Sequence, residues 1–354
     1  MHKGYEADQK EFHKNRQQFI QCQDIIDDLK EATRAYDTSG RAEKHIERMF
    51  NHNVVEGNVR MHGFLVVTNT FKLFASKAMQ TEENIKLATY LGYCFEMIIG
   101  SCFIVDDIID GSPTRRKKLC WHKMEDVQLS AINDAFMLEA ATYVVLKKHF
   151  SHLDCYVKLL ELFRETIFVG SIGQYLDIQT QHQDFTTFTM DQYKKITETK
   201  TVYPGGYIPM AIGLQLANVT DPDIFQEARS FSLQFGAFFQ FQNDFTDCYA
   251  DPKVIGKVGT DIEEGRCTWL ACKFLELATP VQKKIFKENY GKADPLCVKR
   301  IKELYDEVSM VDICLKYEDE IYEKLNKNLE FSSKTTKPYM HLFLKTCHKY
   351  VEKH

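Results

Sequence analysis

Residues Leu87–Trp121 read LATYLGYCFEMIIGSCFIVDDIIDGSPTRRKKLCW. A long apolar run ends in Asp106, Asp107 and Asp110, and Arg115 and Arg116 follow. The pattern predicts one helix from Glu82 to Ile109 with the aspartates at its C-terminal end. Asp106 and Asp110 are four apart, so they share a helix face about one turn apart. Carboxylates stacked this closely repel, and a helix C-terminus disfavours anions. A bound cation removes both objections. Mg²⁺ is the simplest choice, a hard ion that takes one or two carboxylates and fills its shell with waters and phosphate oxygens. The neighbouring guanidinium pair is what a diphosphate requires.

A second acidic cluster closes another apolar helix. The segment FFQFQNDFTDCYADP carries Asn243, Asp244, Asp247 and Asp251 at the end of a helix predicted from Pro222 to Tyr249. Asn243, Asp247 and Asp251 fall at i, i+4 and i+8, again one face. Two such clusters are expected to face each other across a cavity and to hold several Mg²⁺ ions and a diphosphate. An Asp-Asp-x-x-Asp string alone also occurs on plain solvated helix ends; the pair is what raises it above that.

Around these helices the rest of the chain reads as helical. Apolar positions recur at helical spacing in Glu11–Tyr36 and Arg41–Phe50, and Asn51–Gly63 reads as a loop. Further helices are expected over Asp126–Phe150 and Tyr156–Gln179 and from about Met190, the last meeting a strong breaker at Pro204-Gly205-Gly206. Four or so helices follow Trp269, with Pro280, Pro295 and Pro338 near their starts. No alternating β pattern and no repeat of 20–50 residues is present.

Composition bounds the function classes. The 354 residues are 44% hydrophobic and 27% charged, and only 8 prolines and 17 glycines interrupt them, which favours long helices. With a net charge of −5 and no basic tract, nucleic-acid binding is not expected. The 11 cysteines are scattered without a CxxC pair, which suits reduced thiols in a cytoplasmic setting. The polar N-terminus, MHKGYEADQKEFHKNRQQ, is neither a signal peptide nor a clean transit peptide; it leaves room for a removed organelle-targeting leader, and residues 1–10 are expected to be flexible. No uninterrupted apolar run reaches the roughly 18 residues of a membrane span.

These motifs, with LSAINDAFMLEA, IGQYLD and DPKVIGKVGTDIEEGRCTWL, occur in an order that resembles the isoprenyl diphosphate synthases, farnesyl diphosphate synthases of the animal type. The resemblance spans about Phe50 to Tyr305. It implies an all-α fold, one bundle of long helices around a central pocket (the isoprenoid synthase fold), a single domain over 1–354, and a homodimer. It further implies three Mg²⁺ ions and a prenyl diphosphate. The metal ligands would be Asp106, Asp110 and Asp247, with Asp107, Asn243 and Asp244 beside them. Arg115, Lys200 and Lys257 would hold the allylic diphosphate, Thr201 follows Lys200, and Gln174 and Asp177 would line the pocket. The catalytic set is then Asp106, Asp110, Asp247, Lys200 and Arg115. Phe95, Phe168, Phe238 and Phe239 are candidates for an aromatic pocket wall, with plain core as the alternative.

The chain departs from this family where a second substrate, isopentenyl diphosphate, would bind. The family's GGKxxRG loop is EGNVRMHG, with Glu56, Asn58 and Met61 in place of glycine, lysine and arginine. A glutamine seven residues before the first aspartate is Ile99, and the basic C-terminus reads HKYVEKH. Only Arg116 remains of the expected contacts. Asn243 replaces an aspartate in a spacing similar to the metal motif of class I terpene cyclases. Ser101 and Cys102 stand where bulky aromatics would floor the pocket. These departures lead to the expectation of an insect-type terpene synthase, a lyase converting farnesyl diphosphate to a sesquiterpene. The alternatives are a geranyl or farnesyl diphosphate synthase with an altered isopentenyl diphosphate site, kept open by Arg60, His62 and Arg116, and a catalytically silent partner subunit.

Overall fold

The computed structural model describes residues 22–56, 61–250, 259–331 and 337. The helical periodicity is realised as an all-α chain, which divides into two compact units. Unit 1 comprises Met1–Ile167 and Ile208–Thr220, and unit 2 comprises Phe168–Tyr207 and Asp221–His354.

In unit 1, α1 (Gln23–Arg34) and α2 (Arg41–Phe50) are amphipathic and bury Ile25, Ile26 and Leu29, and Ile46, Met49 and Phe50. The chain then tightens into a π-helical turn, Asn51–Val55, in place of the start of the expected loop. Met61 adopts a left-handed backbone (φ 51°) and leads into α3 (His62–Phe74). Its side chain is 1% exposed, so where the family pattern calls for an arginine this chain buries a methionine.

Helix α4 (Glu82–Ile109) begins at Thr81, whose hydroxyl accepts from Asn84 N, an N-cap of the usual kind. It packs against α3 and α5 (Ala131–Phe150). Helix α5 starts five residues later than expected, because 126–130 form tight turns. Helices Glu82–Ile109 and Gln128–Phe150 are long and apolar enough to cross a membrane, which counting uninterrupted apolar residues missed. In the first, 72% of the apolar window is buried within the protein, the condition of a core helix. The expectation of no β structure is corrected by a small hairpin, β1 (Thr114–Arg115) and β2 (Lys118–Leu119). Strands this short leave too little sequence for alternation to be seen.

Helix α6 (Tyr156–Thr180) crosses the division between the units. In unit 2, α7 (Met190–Thr197) runs into a ten-residue π-helical segment, Glu198–Tyr207. The expected break at Pro204 is therefore a change of helical register. The wider π turn accommodates a proline that would clash within a continuous α-helix. Helix α8 (Ile208–Leu216) belongs to unit 1 and packs on α3. Helix α9 (Pro222–Tyr249) is the spine of unit 2 and carries Phe241 edge-on against Trp269 and Tyr317 at 4.8 Å each. Among the later helices, α10 (Asp261–Glu264) is a single short turn, whereas α11 (Trp269–Leu277), α12 (Pro280–Asn289) and α13 (Pro295–Glu307) each begin at a side-chain cap, Thr268, Thr279 and Asp294. Helix α14 (Met310–Phe331) ends the described helices. Residues 1–21, Arg60, Asp251, Pro338 and the C-terminal HKYVEKH lie outside the described residues.

Glu96 ties unit 1 together. It lies on α4, is 4% exposed, and accepts a hydrogen bond from Phe64 N at 3.0 Å in the first turn of α3. Burial pushes its carboxyl above the ordinary range, against the lowering effect of the Phe64 N–H and the Arg116 charge. The fold therefore holds the proton more tightly than the unfolded chain does. This contribution to stability is complete below about pH 4.5 and is lost as pH rises through the raised pKa. Glu96→Gln should abolish that loss: its melting temperature relative to wild type should rise by roughly 2 °C between pH 4.5 and pH 8. A difference that does not vary with pH would contradict the assignment.

Candidate active site

The end of α4 is built as a charge cluster in unit 1. Asp106 is partly exposed and Asp107 is 4% exposed. Arg115, on β1, spans both: its Nη2 donates to Asp106 Oδ2 at 2.8 Å and its Nε to Asp107 Oδ1 at 2.7 Å. The guanidinium lies over the Phe103 ring at 4.3 Å. Cation, carboxylates and aromatic face thus form one stack. Burial raises the Asp107 carboxyl, opposed by Arg115. Asp107 is consequently the anchor of Arg115, while Asp106 and Asp110 are both partly exposed. Asp110 terminates the helix, its N–H bonded to Asp106 O at 2.9 Å. Arg116 Nη1 donates to Asn53 O at 2.9 Å, and its guanidinium lies 5.5 Å from the Phe103 centroid.

Unit 2 carries the second set. Lys200, in the π segment, donates to Asp177 Oδ2 at 2.6 Å, and Arg266 Nη1 donates to the same oxygen at 2.6 Å. Arg266 Nε also holds Glu264 at 2.8 Å. Two cations thus converge on one carboxylate, 7% exposed, and Glu264 completes a balanced network that fixes both in place. Sequence reasoning missed Arg266; it lies within a quoted motif, but a single arginine ahead of a helix has no spacing signal. Gln174 Nε2 is shielded from solvent and has no hydrogen-bond partner among the described residues. Asn243 and Asp247 are partly exposed on one face of α9, with Asp261 N bonded to Asp247 Oδ1 at 3.0 Å. Asp244 differs. It is 4% exposed, its oxygens accept from Gln240 Nε2 at 2.9 Å and Trp269 N at 2.8 Å, and burial pushes its carboxyl up to about 7. Asp244 thereby links α9 to α11. Lys257 lies outside the described residues.

The exposed donors are carboxylate and amide oxygens, a hard set that fits Mg²⁺. Among the described residues no three His, Cys, Asp or Glu side chains form a closed metal cage. Magnesium commonly needs none, since substrate phosphates and waters complete its octahedron. Of the aromatic candidates, Phe95 and Phe238 are fully buried core, while Phe168 is 68% exposed and lines no enclosed wall. Ser101 is buried and bonded within its helix to Ile98 O at 2.8 Å.

The polyprenyl synthetase family model matches residues 43–308. The farnesyl pyrophosphate synthase of Rattus norvegicus is 36% identical over 94% of this chain and 95% of its own length. That of Nezara viridula is 35% identical over 86% of this chain and 74% of its own length. The T. brucei farnesyl diphosphate synthase, solved with risedronate, superposes with a TM-score of 0.84 at 26% identity, covering 93% of this chain and 96% of that one. The fold is thus the all-α isoprenoid synthase fold. The expected terpene synthase, a lyase acting on farnesyl diphosphate, is overturned by these matches. They cover 86–94% of this chain with synthases of farnesyl diphosphate and favour the prenyltransferase alternative.

The π segment that presents Lys200 is seated by glycine. A Cβ at Gly173 would lie 2.2 Å from Lys200 N, and one at Gly236 would lie 2.4 Å from a Val202 methyl. Gly173→Ala should push the segment off α6, destabilising the protein by about 1–3 kcal/mol. It should also lower kcat/KM by at least about tenfold at temperatures where the variant remains folded. Unchanged kinetics in a folded variant would show that Lys200 does not depend on this seat.

Proposed function

The chain belongs to the polyprenyl synthetase family, and from that premise we propose that it is a short-chain prenyltransferase. It joins an allylic diphosphate to isopentenyl diphosphate, giving geranyl or farnesyl diphosphate, through an altered isopentenyl diphosphate site. The observation that carries this reading is Arg115 locked across Asp106 and Asp107, with Arg116 anchored beside it. A pre-positioned guanidinium pair next to exposed carboxylates suits a diphosphate leaving group.

The reaction breaks the allylic C–O bond, forms a C–C bond to the isopentenyl double bond and releases one proton. Mg²⁺, three ions in this family, supplies Lewis-acid stabilisation of the departing diphosphate when bound. Asp106 and Asp110 in unit 1, and Asn243 and Asp247 in unit 2, are the oxygens that would hold it. Arg115 in unit 1, and Lys200, Arg266 and Gln174 in unit 2, are donors for diphosphate oxygens. Asp177 orients Lys200 and Arg266, and Asp107 orients Arg115.

Two further features belong to this reading. Ile132 and Phe136, one turn apart on α5, are 45% and 68% exposed, and Leu129 in the turn before them is 68% exposed, an apolar patch that supports a homodimer. The cysteines among the described residues are free thiols, in keeping with a cytoplasmic, reducing compartment.

Purified protein given Mg²⁺, isopentenyl diphosphate and either dimethylallyl or geranyl diphosphate should yield longer prenyl diphosphates. Absence of any such product would overturn the proposal. Asp106→Ala should lower turnover by at least about 100-fold with an unchanged circular dichroism spectrum. Near-normal turnover would remove Asp106 from the site.

A further inference from the structure

Two cations of the β1–β2 hairpin are anchored to consecutive carbonyls of the π-turn after α2. Arg116 Nη1 donates to Asn53 O at 2.9 Å, and Lys118 Nζ donates to His52 O. The hairpin loop that sends them there is strained. Arg116 and Lys117 occupy left-handed backbone, φ 55° and 65°, conformations that β-hairpins usually give to glycine or asparagine. Strain retained at two adjacent basic residues marks a constrained geometry.

The charge partners of the two cations differ in kind. Arg116 has the buried Glu96 as its compensating charge. Lys118 has Glu56, whose Oε2 lies 3.5 Å from Nζ, with side-chain exposures of 57% for Glu56 and 22% for Lys118. Lys118 is thus a partly desolvated ammonium fixed by a neutral carbonyl. The Glu56 carboxylate is loosely placed and solvated, and such a contact is easily replaced. Glu56 also borders an open cleft of about 490 Å³ lined by Lys44, Glu47, Arg48, Asn51, His52 and Met124 as well, so its carboxylate has open space to move into when it leaves Lys118. Meanwhile Met61, in the stretch where the family's second-substrate loop carries arginine, is in the core and supplies no charge.

Taking the prenyltransferase reading as its basis, we propose that Lys118 serves with Arg116 as a cation for the diphosphate of the second substrate, and that Glu56 occupies Lys118 until that diphosphate displaces it. Glu56 is then an internal competitor that sets the affinity for isopentenyl diphosphate. Lys118 is the specificity-determining residue through which it acts.

The test compares wild type, Glu56→Gln, Lys118→Gln and the double variant. Binding of isopentenyl diphosphate, and of inorganic pyrophosphate as a simpler probe, is read by calorimetry without turnover. The KM for each substrate is read separately. Glu56→Gln should tighten isopentenyl diphosphate binding and lower its KM by about three- to tenfold, with the KM for the allylic diphosphate moving less than twofold. Lys118→Gln should weaken binding by about tenfold or more. The double variant should match Lys118→Gln, since Glu56 acts only through Lys118. Unchanged binding in Glu56→Gln, or tightening that persists in the double variant, overturns the proposal. The two readings fail separately. Prenyl diphosphate formation with no effect of Glu56→Gln leaves the enzyme assignment standing. Lys118-dependent tightening of pyrophosphate without any prenyl product leaves the Glu56 switch standing and removes the enzyme assignment.

Discussion

The Arg115 guanidinium shared between Asp106 and Asp107 is the constraint on which the first acidic cluster depends. A 28-residue apolar helix ends there in three carboxylates, at the pole of the helix dipole that disfavours anions. The compensating cation has to approach from beyond the helix end. The chain achieves this by turning through Gly111 at φ 64° and returning as a hairpin. Asp107 is buried against that guanidinium, so removing Arg115 would leave the Asp107 charge without its partner, whereas Arg115 without Asp107 would keep Asp106. The pair therefore fixes the position of the hairpin and, through it, of Arg116.

Unit 2 solves a different problem, the presentation of a lysine from within a helix that contains proline. A continuous α-helix would lose a hydrogen bond and clash at Pro204. The π register over Glu198–Tyr207 widens the turn, and α6 and α9 meet it with glycine at 173 and 236. Asp177 then holds Lys200 on one side and Arg266 on the other. Electrostatics and backbone geometry agree at this point: the residue that orients the cations lies one turn from the glycine that admits the backbone carrying one of them.

Most of the helical architecture was legible from periodicity. Arg41–Phe50, Glu82–Ile109 and Pro222–Tyr249 have the boundaries that apolar spacing and caps predict. The π segment was not legible, because Pro-Gly-Gly carries the same local signal whether the chain breaks or changes register. The hairpin was missed because two-residue strands are set by tertiary contacts. At the site, spacing grouped Asp106 with Asp110 and Asn243 with Asp247 but could not foresee that Asp107 and Asp244 are buried. Which aspartate is buried depends on Arg115 in one case and on Gln240 and Trp269 in the other. Arg266 and Glu96 escaped for the same reason, since each owes its role to a partner far away in sequence. The functional reading erred by treating lost second-substrate cations as a lost second substrate; Lys118, from another element, was not weighed.

The buried Met61 has a historical consequence. Its left-handed backbone and core position leave no room for a simple return of arginine. An arginine there would carry its guanidinium into the core, where an unpaired charge carries a severe penalty. Reversion at this position is therefore closed to single substitutions unless the start of α3 first loosens. Any lineage that regains positive charge near this loop has an easier route through the hairpin, where residues 116–118 are already basic.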